Sequence, residues 1–413
     1  MVERVFITGC GVVSSLGLGR EAFWSAAVAG RSGFSPVEGF DAAPLGRTVA
    51  AQVKGFNARD FLSARECTQA GRAASFAIAA ARMAVDDAGL AARSLETPRA
   101  SVIFGTTMGE ADVIARLDHA WIDRGPEALS PRVLPKYAPH MAPMLVARHL
   151  KTRGRVLTLP AACAAGNYAL GFGFDLLRSG AADVVIAGAT EMLQDLQYAG
   201  FVRLGAVAPT RCQPFDRDRQ GLIVGEGSAV FVLETERHAL ARGATRLAEI
   251  GGYGLACDGY HITRPHPEGS GNVHAMREAI RRSGVTPAEV DFINAHGTGT
   301  RANDEVEARV IETVFAGRKV PVTSVKSMIG HCMGASSALE ALTCVETLQS
   351  ELYPPTMHYE NPDPLCPLDV VANTARRGPA RIVLNNALAF GGYDAVLCLA
   401  QPDVLPPPSE RGS

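Results

Sequence analysis

The feature that most constrains this chain is a repetition: short apolar runs ending in small residues recur, in one order, in both halves of its 413 residues. The segment ITGCGVVSSLG (Ile7–Gly17) is echoed by EIGGYGLACDG (Glu249–Gly259), and SVIFGTTMG (Ser101–Gly109) by DFINAHGTG (Asp291–Gly299). RVLTLPAACAAGNYALGFGFDLL is echoed by KVPVTSVKSMIGHCMGASSALEAL, and each copy then adds two further apolar runs: DVVIAGATE and SAVFVLETE in the first, RIVLNNALA and DAVLCLAQP in the second. A single match means little, because strands opening into glycine are common in α/β proteins. Five matches in one order predict a duplication, with halves at 1–245 and 246–413. Strands that are apolar throughout and alternate with helical patterns predict an α/β fold whose sheets are covered on both faces.

Composition removes several function classes. Forty Lys and Arg against 42 Asp and Glu leave a formal charge of −2, so there is no bulk field for nucleic acid or an anionic membrane. The richest apolar stretch, Ala73–Val85, is interrupted by Arg82 and is too short to span a bilayer. The nine Cys are scattered, with no CxxC and no Cys/His pair at metal spacing, so neither a disulfide framework nor a metal site is expected. We therefore expect a cytoplasmic protein in which most Cys are small buried hydrophobes. The stretch Asp118–His149 reads as an inserted lid or interface, and the proline-rich tail from Gln401 as frayed.

One Cys has a special setting. Cys163 follows the strand RVLTLP and precedes the helical AAGNYALGFGFDLL, so a helix N-terminus should favour its thiolate. Ala161, Ala162, Ala164, Ala165 and Gly166 leave room beside the sulfur, although a Cys among alanines, taken alone, is more often a packing residue. His296 stands at a strand exit in NAHGTGT, with the hydroxyls of Thr298 and Thr300 beside it. In SVKSMIGHCMGASSALEAL, Lys326 should end a strand and His331 open a helix that carries Glu340; a helix N-terminus keeps such a His neutral and able to donate to an oxyanion. By the duplication, that helix start is the mate of the one bearing Cys163. Phe390, Gly391 and Gly392 form a turn between strands that could offer a backbone N–H.

Together these motifs resemble the elongating β-ketoacyl-acyl carrier protein synthases of the thiolase superfamily: Cys163 in PAACAAG, His296 in HGTGT followed by NDEVEA, Lys326 and His331 in VKSMIGH with Glu340 beyond, and Phe390 in AFGG. PFDRDRQGLIVGEGSAVFVLE and DGYHITRPHPEG are similar to the family's secondary motifs. The resemblance spans about residues 3 to 400. It implies a thiolase-like, five-layered αβαβα fold and a homodimer, or a heterodimer with a second ketosynthase-like subunit. It implies no resident cofactor or metal, because the phosphopantetheine arrives on an acyl carrier protein. Cys163 would carry the acyl thioester, His296 and His331 would stabilise the enolate formed by decarboxylation of malonyl carrier protein, and Lys326 and Glu340 would orient them. The N–H groups of Cys163 and Phe390, beside Gly391, would form an oxyanion hole. Thr298 and Thr300 would meet the phosphopantetheine arm, Phe390 would gate the acyl pocket, and Met108 would limit its depth.

The departures from the family pattern are local. Ala161 stands where Thr is common, Gln213 where Arg is usual and Leu222 where Phe is usual; Tyr393 and Asp394 follow the FGG turn where a Thr-Asn pair is frequent. Glu127 and Ala128 replace basic residues that dock the carrier, so Arg65, Arg72, Arg124, Arg132, Lys136 and Arg203 are the alternative docking set. These differences point toward secondary metabolism. Two other readings share the scaffold: a non-catalytic chain-length factor, which usually lacks the Cys, and an acyltransferase that uses the same Cys.

Overall fold

The computed structural model describes residues 3–411 apart from 132, 134, 135 and 137. The five runs of the first half form β1 (Val5–Ser14), β2 (Ala100–Gly105), β3 (Val156–Leu159), β4 (Val184–Glu191) and β5 (Gly227–Thr235). Those of the second half form β6 (Ala248–Cys257), β7 (Phe292–Asn294), β8 (Pro321–Thr323), β9 (Ile382–Ala389) and β10 (Tyr393–Ala400). Their spatial orders, β3-β2-β4-β5-β1 and β8-β7-β9-β10-β6, are the same order twice. In each sheet the second strand runs parallel to its neighbours and the last strand antiparallel. The two sheets meet where Phe6 pairs with Glu249 and Ile7 with Ala248.

Alternation along buried strands sends side chains to two cores. On β5, Val230 and Val232 join the outer core under α1 (Arg72–Asp87), while Phe231 and Leu233 join the central core. The central layer holds α2 (Ala165–Arg178), whose Ala169, Leu170 and Phe174 join the central core between the sheets. On the far side α3 (Ser270–Arg282) and α4 (Arg301–Phe315) cover the second sheet through Met276, Ile280, Val310 and Phe315. The partner of α2 is α5 (Ser336–Ser350), buried on every side from Ser336 to Leu348, as a helix between two sheets must be. The layers are therefore α, β, α, β, α.

Two glycines show how tightly the middle is built. A Cβ on Gly166 would lie 2.4 Å from the backbone N of Ala338, and one on Gly105 2.4 Å from the carbonyl O of Ala165. Larger residues would push α2 away from α5 and from β2. The tail is not frayed as its composition suggested: Leu405 is buried, and the Arg411 guanidinium is buried against the Glu249 carboxylate. An ion pair to a strand of the second sheet holds the polar segment down, a contact that proline content does not reveal.

Candidate active site

Both central helices begin with the same backbone device. Ala162 and Met333 each adopt φ 45°, and each leads into a 3₁₀ turn, Ala162–Ala164 before α2 and Met333–Ala335 before α5. Such values are costly for residues with a Cβ and persist only where the surroundings impose them. In the first half this device presents Cys163 to a cavity of about 80 Å³, lined also by His296, Thr298, Thr300, His331 and Phe390. The second half supplies the imidazoles, so neither half contains the whole cluster.

The histidines are held through their Nδ1 atoms. The backbone N–H of Met333 donates to His331 Nδ1 at 3.2 Å, with Ser336 Oγ 2.8 Å from the same nitrogen. The Lys326 ammonium lies 3.3 Å from His296 Nδ1 and donates to the His296 carbonyl at 2.6 Å. A backbone amide and an ammonium can only donate, so each Nδ1 is an acceptor and each neutral ring carries its proton on Nε2. Burial, then the Lys326 charge, holds both rings well below the ordinary imidazole range, with His331 adding to the effect on His296. Their ring centroids are 5.5 Å apart and nearly perpendicular.

Three local expectations are corrected. Lys326 does not end a strand: it opens the short helix Lys326–Ile329, two residues after Ser324 has left β8. His331 does not open a helix but bridges to Val224, its N–H donating to Ile223 and its carbonyl accepting from Gly225. Its neutrality therefore comes from burial and Lys326, not from a helix end. Cys163 is not an ionised thiolate at rest, because burial pushes its thiol up to about 12 against the opposing pull of Lys326 and of the Phe390 N–H.

Lys326 is fully buried and paired with Glu340 on α5, whose second carboxylate oxygen has no partner. Thr298 Oγ1 lies 2.9 Å from Thr300 Oγ1 on the cavity wall. Phe390 is 36% exposed, and its ring stacks on Phe201, a cavity residue that sequence reasoning missed because nothing in its local pattern marks it. Gly391 and Gly392, at φ 84° and 76°, make the turn behind it. Met108 does not line this cavity: it borders a separate groove with Phe40, Ile114 and Leu196, because the Thr106–Gly109 turn is drawn to Glu191.

Glu307 is a second residue missed by the sequence reading. Its carboxyl accepts the N–H of His296 at 2.6 Å, that of Gly297 at 2.7 Å, and the Asn386 amide at 2.7 Å. Burial raises it to about 7. The available signal was its place in NDEVEA, one turn beyond Asn303 on the helix that follows HGTGT. Of the alternative docking residues, Arg72 is engaged with Glu226 at 2.6 Å, Arg65, Arg124 and Arg203 are exposed, Lys136 is half-buried, and Arg132 lies outside the described residues. Among the described residues no group of three or more His, Cys, Asp or Glu could hold a metal ion, and no helix is long and apolar enough to cross a membrane.

Comparison with known proteins agrees with this geometry. Residues 2–239 match the beta-ketoacyl synthase N-terminal domain and 247–360 its C-terminal domain. The chain is 37% identical over 404 residues to a 3-oxoacyl-[acyl-carrier-protein] synthase 2 of Synechocystis sp., covering 96% of this chain and 97% of that protein. Among solved structures, the ishigamide ketosynthase/chain length factor superposes with a TM-score of 0.94 at 42% identity, covering 97% of this chain and 100% of that one. A type II PKS ketosynthase bound to the hexaketide, in complex with its acyl-carrier protein (AntDE:AntF), gives 0.90 at 29% identity, over 98% and 100% of the two chains. The thiolase-like layering, the paired helix starts and these matches lead to one statement: the chain belongs to the β-ketoacyl synthase family.

Proposed function

We propose that this protein is an elongating β-ketoacyl synthase that joins an acyl group held on Cys163 to malonyl-acyl carrier protein by decarboxylative Claisen condensation. The observation that carries the reading is the pair of neutral imidazoles with acceptor Nδ1 atoms and Nε2 protons, on one cavity with Cys163. In the first half-reaction the sulfur attacks the carrier's thioester, its proton leaves with the carrier thiol, and the oxyanion is met by the N–H groups of Cys163 and Phe390. In the second, carbon dioxide departs from the malonyl group, the enolate oxygen accepts hydrogen bonds from His296 and His331, and the carbanion attacks the acyl thioester, releasing the Cys163 sulfur. Charge stabilisation rather than a strong base is what this step requires. Lys326 acts as the positioning group for His296, Glu340 for Lys326, and Thr298 and Thr300 meet the phosphopantetheine arm.

The division at 1–245 and 246–413 then describes two halves of one catalytic unit rather than two independent domains. A dimer is supported by β3, an edge strand with Val156 and Leu157 in solvent, and by the exposed Trp121 and Ile122 of the Asp118–His149 stretch. A ketosynthase-like partner subunit suits the same edge, and a cytoplasmic setting suits nine unpaired Cys.

Intact mass after incubation with acyl carrier proteins bearing acyl groups of graded length tests the reading. Wild type should gain the acyl mass and Cys163→Ala should not; His331→Ala should load the acyl group yet form no 3-oxoacyl product. Loading without product in wild type would support the acyltransferase alternative, and no loading at all would support the chain-length-factor alternative.

A further inference from the structure

The cavity is small in this structure. Its volume of about 80 Å³ is far below the roughly 300 to 1,000 Å³ of sites that bury a ligand, so Phe390 and its turn must move before an acyl chain or a carrier arm can enter. What holds that turn is visible. The N–H of Asp258 donates to Gly392 O at 2.8 Å, the N–H of Gly391 donates to Ile262 O at 2.8 Å, and β10 pairs with β6 from Tyr393–Cys257 onward. The segment 258–269, which carries the cavity residues Thr263, Arg264 and Pro265, is thereby stitched to the turn that bears Phe390.

Two carboxyl groups sit at this seam. Asp394 is 1% exposed, Asp258 is half-buried, and both line the cavity. One oxygen of Asp258 accepts the N–H of His266 at 2.8 Å, but the other, Oδ1, has no donor, and neither has Asp394 Oδ2. These two orphan oxygens converge: a Cβ built on Gly271, at the start of α3, would lie 2.4 Å from Asp394 Oδ2 and 2.7 Å from Asp258 Oδ1. Two acceptors face each other with no donor between them unless one carries a proton. Around them stand Tyr393 and Cys257 on the paired strands, Tyr168 from α2, and Arg264 and His266 from the segment itself. The influences on the Asp394 proton are burial first and the Asp258 charge second, with no cation among them, and together they raise it to about 8. Two neighbouring carboxylates, one of them buried, resist ionising together.

We propose that Asp258 and Asp394 share one proton and act as a positioning pair, latching the 258–269 segment to the Phe390 turn so that the Phe390 N–H stays aimed at the Cys163 sulfur. Where the family pattern carries Asn, an amide can supply the donor permanently; here the donor is a carboxylic proton that leaves as pH rises. The Asp394→Asn variant therefore keeps the hydrogen bond and removes its titration. Both Asp258→Asn and Asp394→Asn relieve the charge repulsion, so the second variant keeps the test open should the first not fold.

The latch itself is read by hydrogen–deuterium exchange, which does not depend on the catalytic reading. After correction for intrinsic exchange rates, peptides covering 258–269 and 388–393 should lose protection in wild type between pH 7 and 9 and keep it in Asp394→Asn. The consequence for chemistry, which does rest on the ketosynthase reading, is a Cys163 acylation rate about tenfold below the bell-shaped expectation of Asp394→Asn at pH 9, the factor that one proton of pKa about 8 imposes a unit above its midpoint. Equal protection of these peptides in wild type and Asp394→Asn across that range would overturn the proposal. Loss of the exchange difference sinks the latch, whereas absence of acylation with the exchange difference intact sinks only the ketosynthase reading.

Discussion

Cys163 and Lys326 show how burial sets chemistry at single residues. With its thiol pushed up to about 12 by burial, Cys163 should be alkylated slowly by iodoacetamide at neutral pH, the rate climbing about tenfold per unit of pH beyond 9. A plateau already reached by pH 8 would show that a thiolate is present at rest. Lys326 is fully buried with Glu340, so Lys326→Ala strands a carboxyl group in the core and should cost about 3 to 5 kcal/mol in chemical denaturation. Lys326→Met combined with Glu340→Leu should regain most of that stability while condensation remains lost. Recovery of activity in the double variant would show that Lys326 is structural and does not position His296.

At the scale of elements, the two central helices are joined through atoms that leave no room for growth. Gly166 meets the Ala338 backbone, so Gly166→Ala should destabilise the fold by about 1 to 3 kcal/mol, measured by denaturant midpoint, and should slow acylation by moving the Cys163 turn. An unchanged midpoint would mean that α2 and α5 part more easily than their spacing implies. The element pattern was legible in the sequence: the five apolar runs of each half form ten of the strands, in one order twice over, and all of these but the edge strand β3 are largely buried, which is why they are apolar. The site was legible to the extent that Cys163 precedes a helix and His296 follows a strand, whereas the expected settings of Lys326 and His331 were not the ones found. It was not legible in how they are held. His331 is fixed by hydrogen bonds to Ile223 and Gly225, over a hundred residues earlier, and Glu307 by its reach back to the backbone of His296.

For the whole molecule, buried carboxyls set the response to pH. Glu110, Glu191 and Glu307 are each raised to about 7 by burial, so they stay protonated in the fold where the unfolded chain ionises. Their contribution is complete below about 4.5 and is lost as pH rises through 7. Against their own burial, Glu66 and Glu234 are pulled down to about 2 by hydrogen bonds, from Ser63 and His149 to the first and from Arg242 and His238 to the second. That stability is present above 4.5 and is lost as pH falls toward 2. The melting temperature should therefore peak near pH 5 and fall on both sides, and Glu191→Gln should shallow the fall between 5 and 7. Association belongs to the same scale: if the proposed dimer forms through the open edge of β3, Leu157→Lys should lower the light-scattering mass to that of a monomer, and a wild-type dimer left unchanged by it would place the interface elsewhere.

By itself the sequence determined the α/β class, the duplication, the order of strands and the choice of candidate site residues, because each depends on residue types at short range: apolar runs, small residues at turns, and a Cys, two His and a Lys in short motifs beside them. Tertiary structure decided their protonation states and tautomers, the small volume of the cavity, the place of Met108 on a different groove, and the meeting of Asp258 with Asp394. Those properties arise from burial and from partners far away in the chain, and a local pattern of residues carries no information about either.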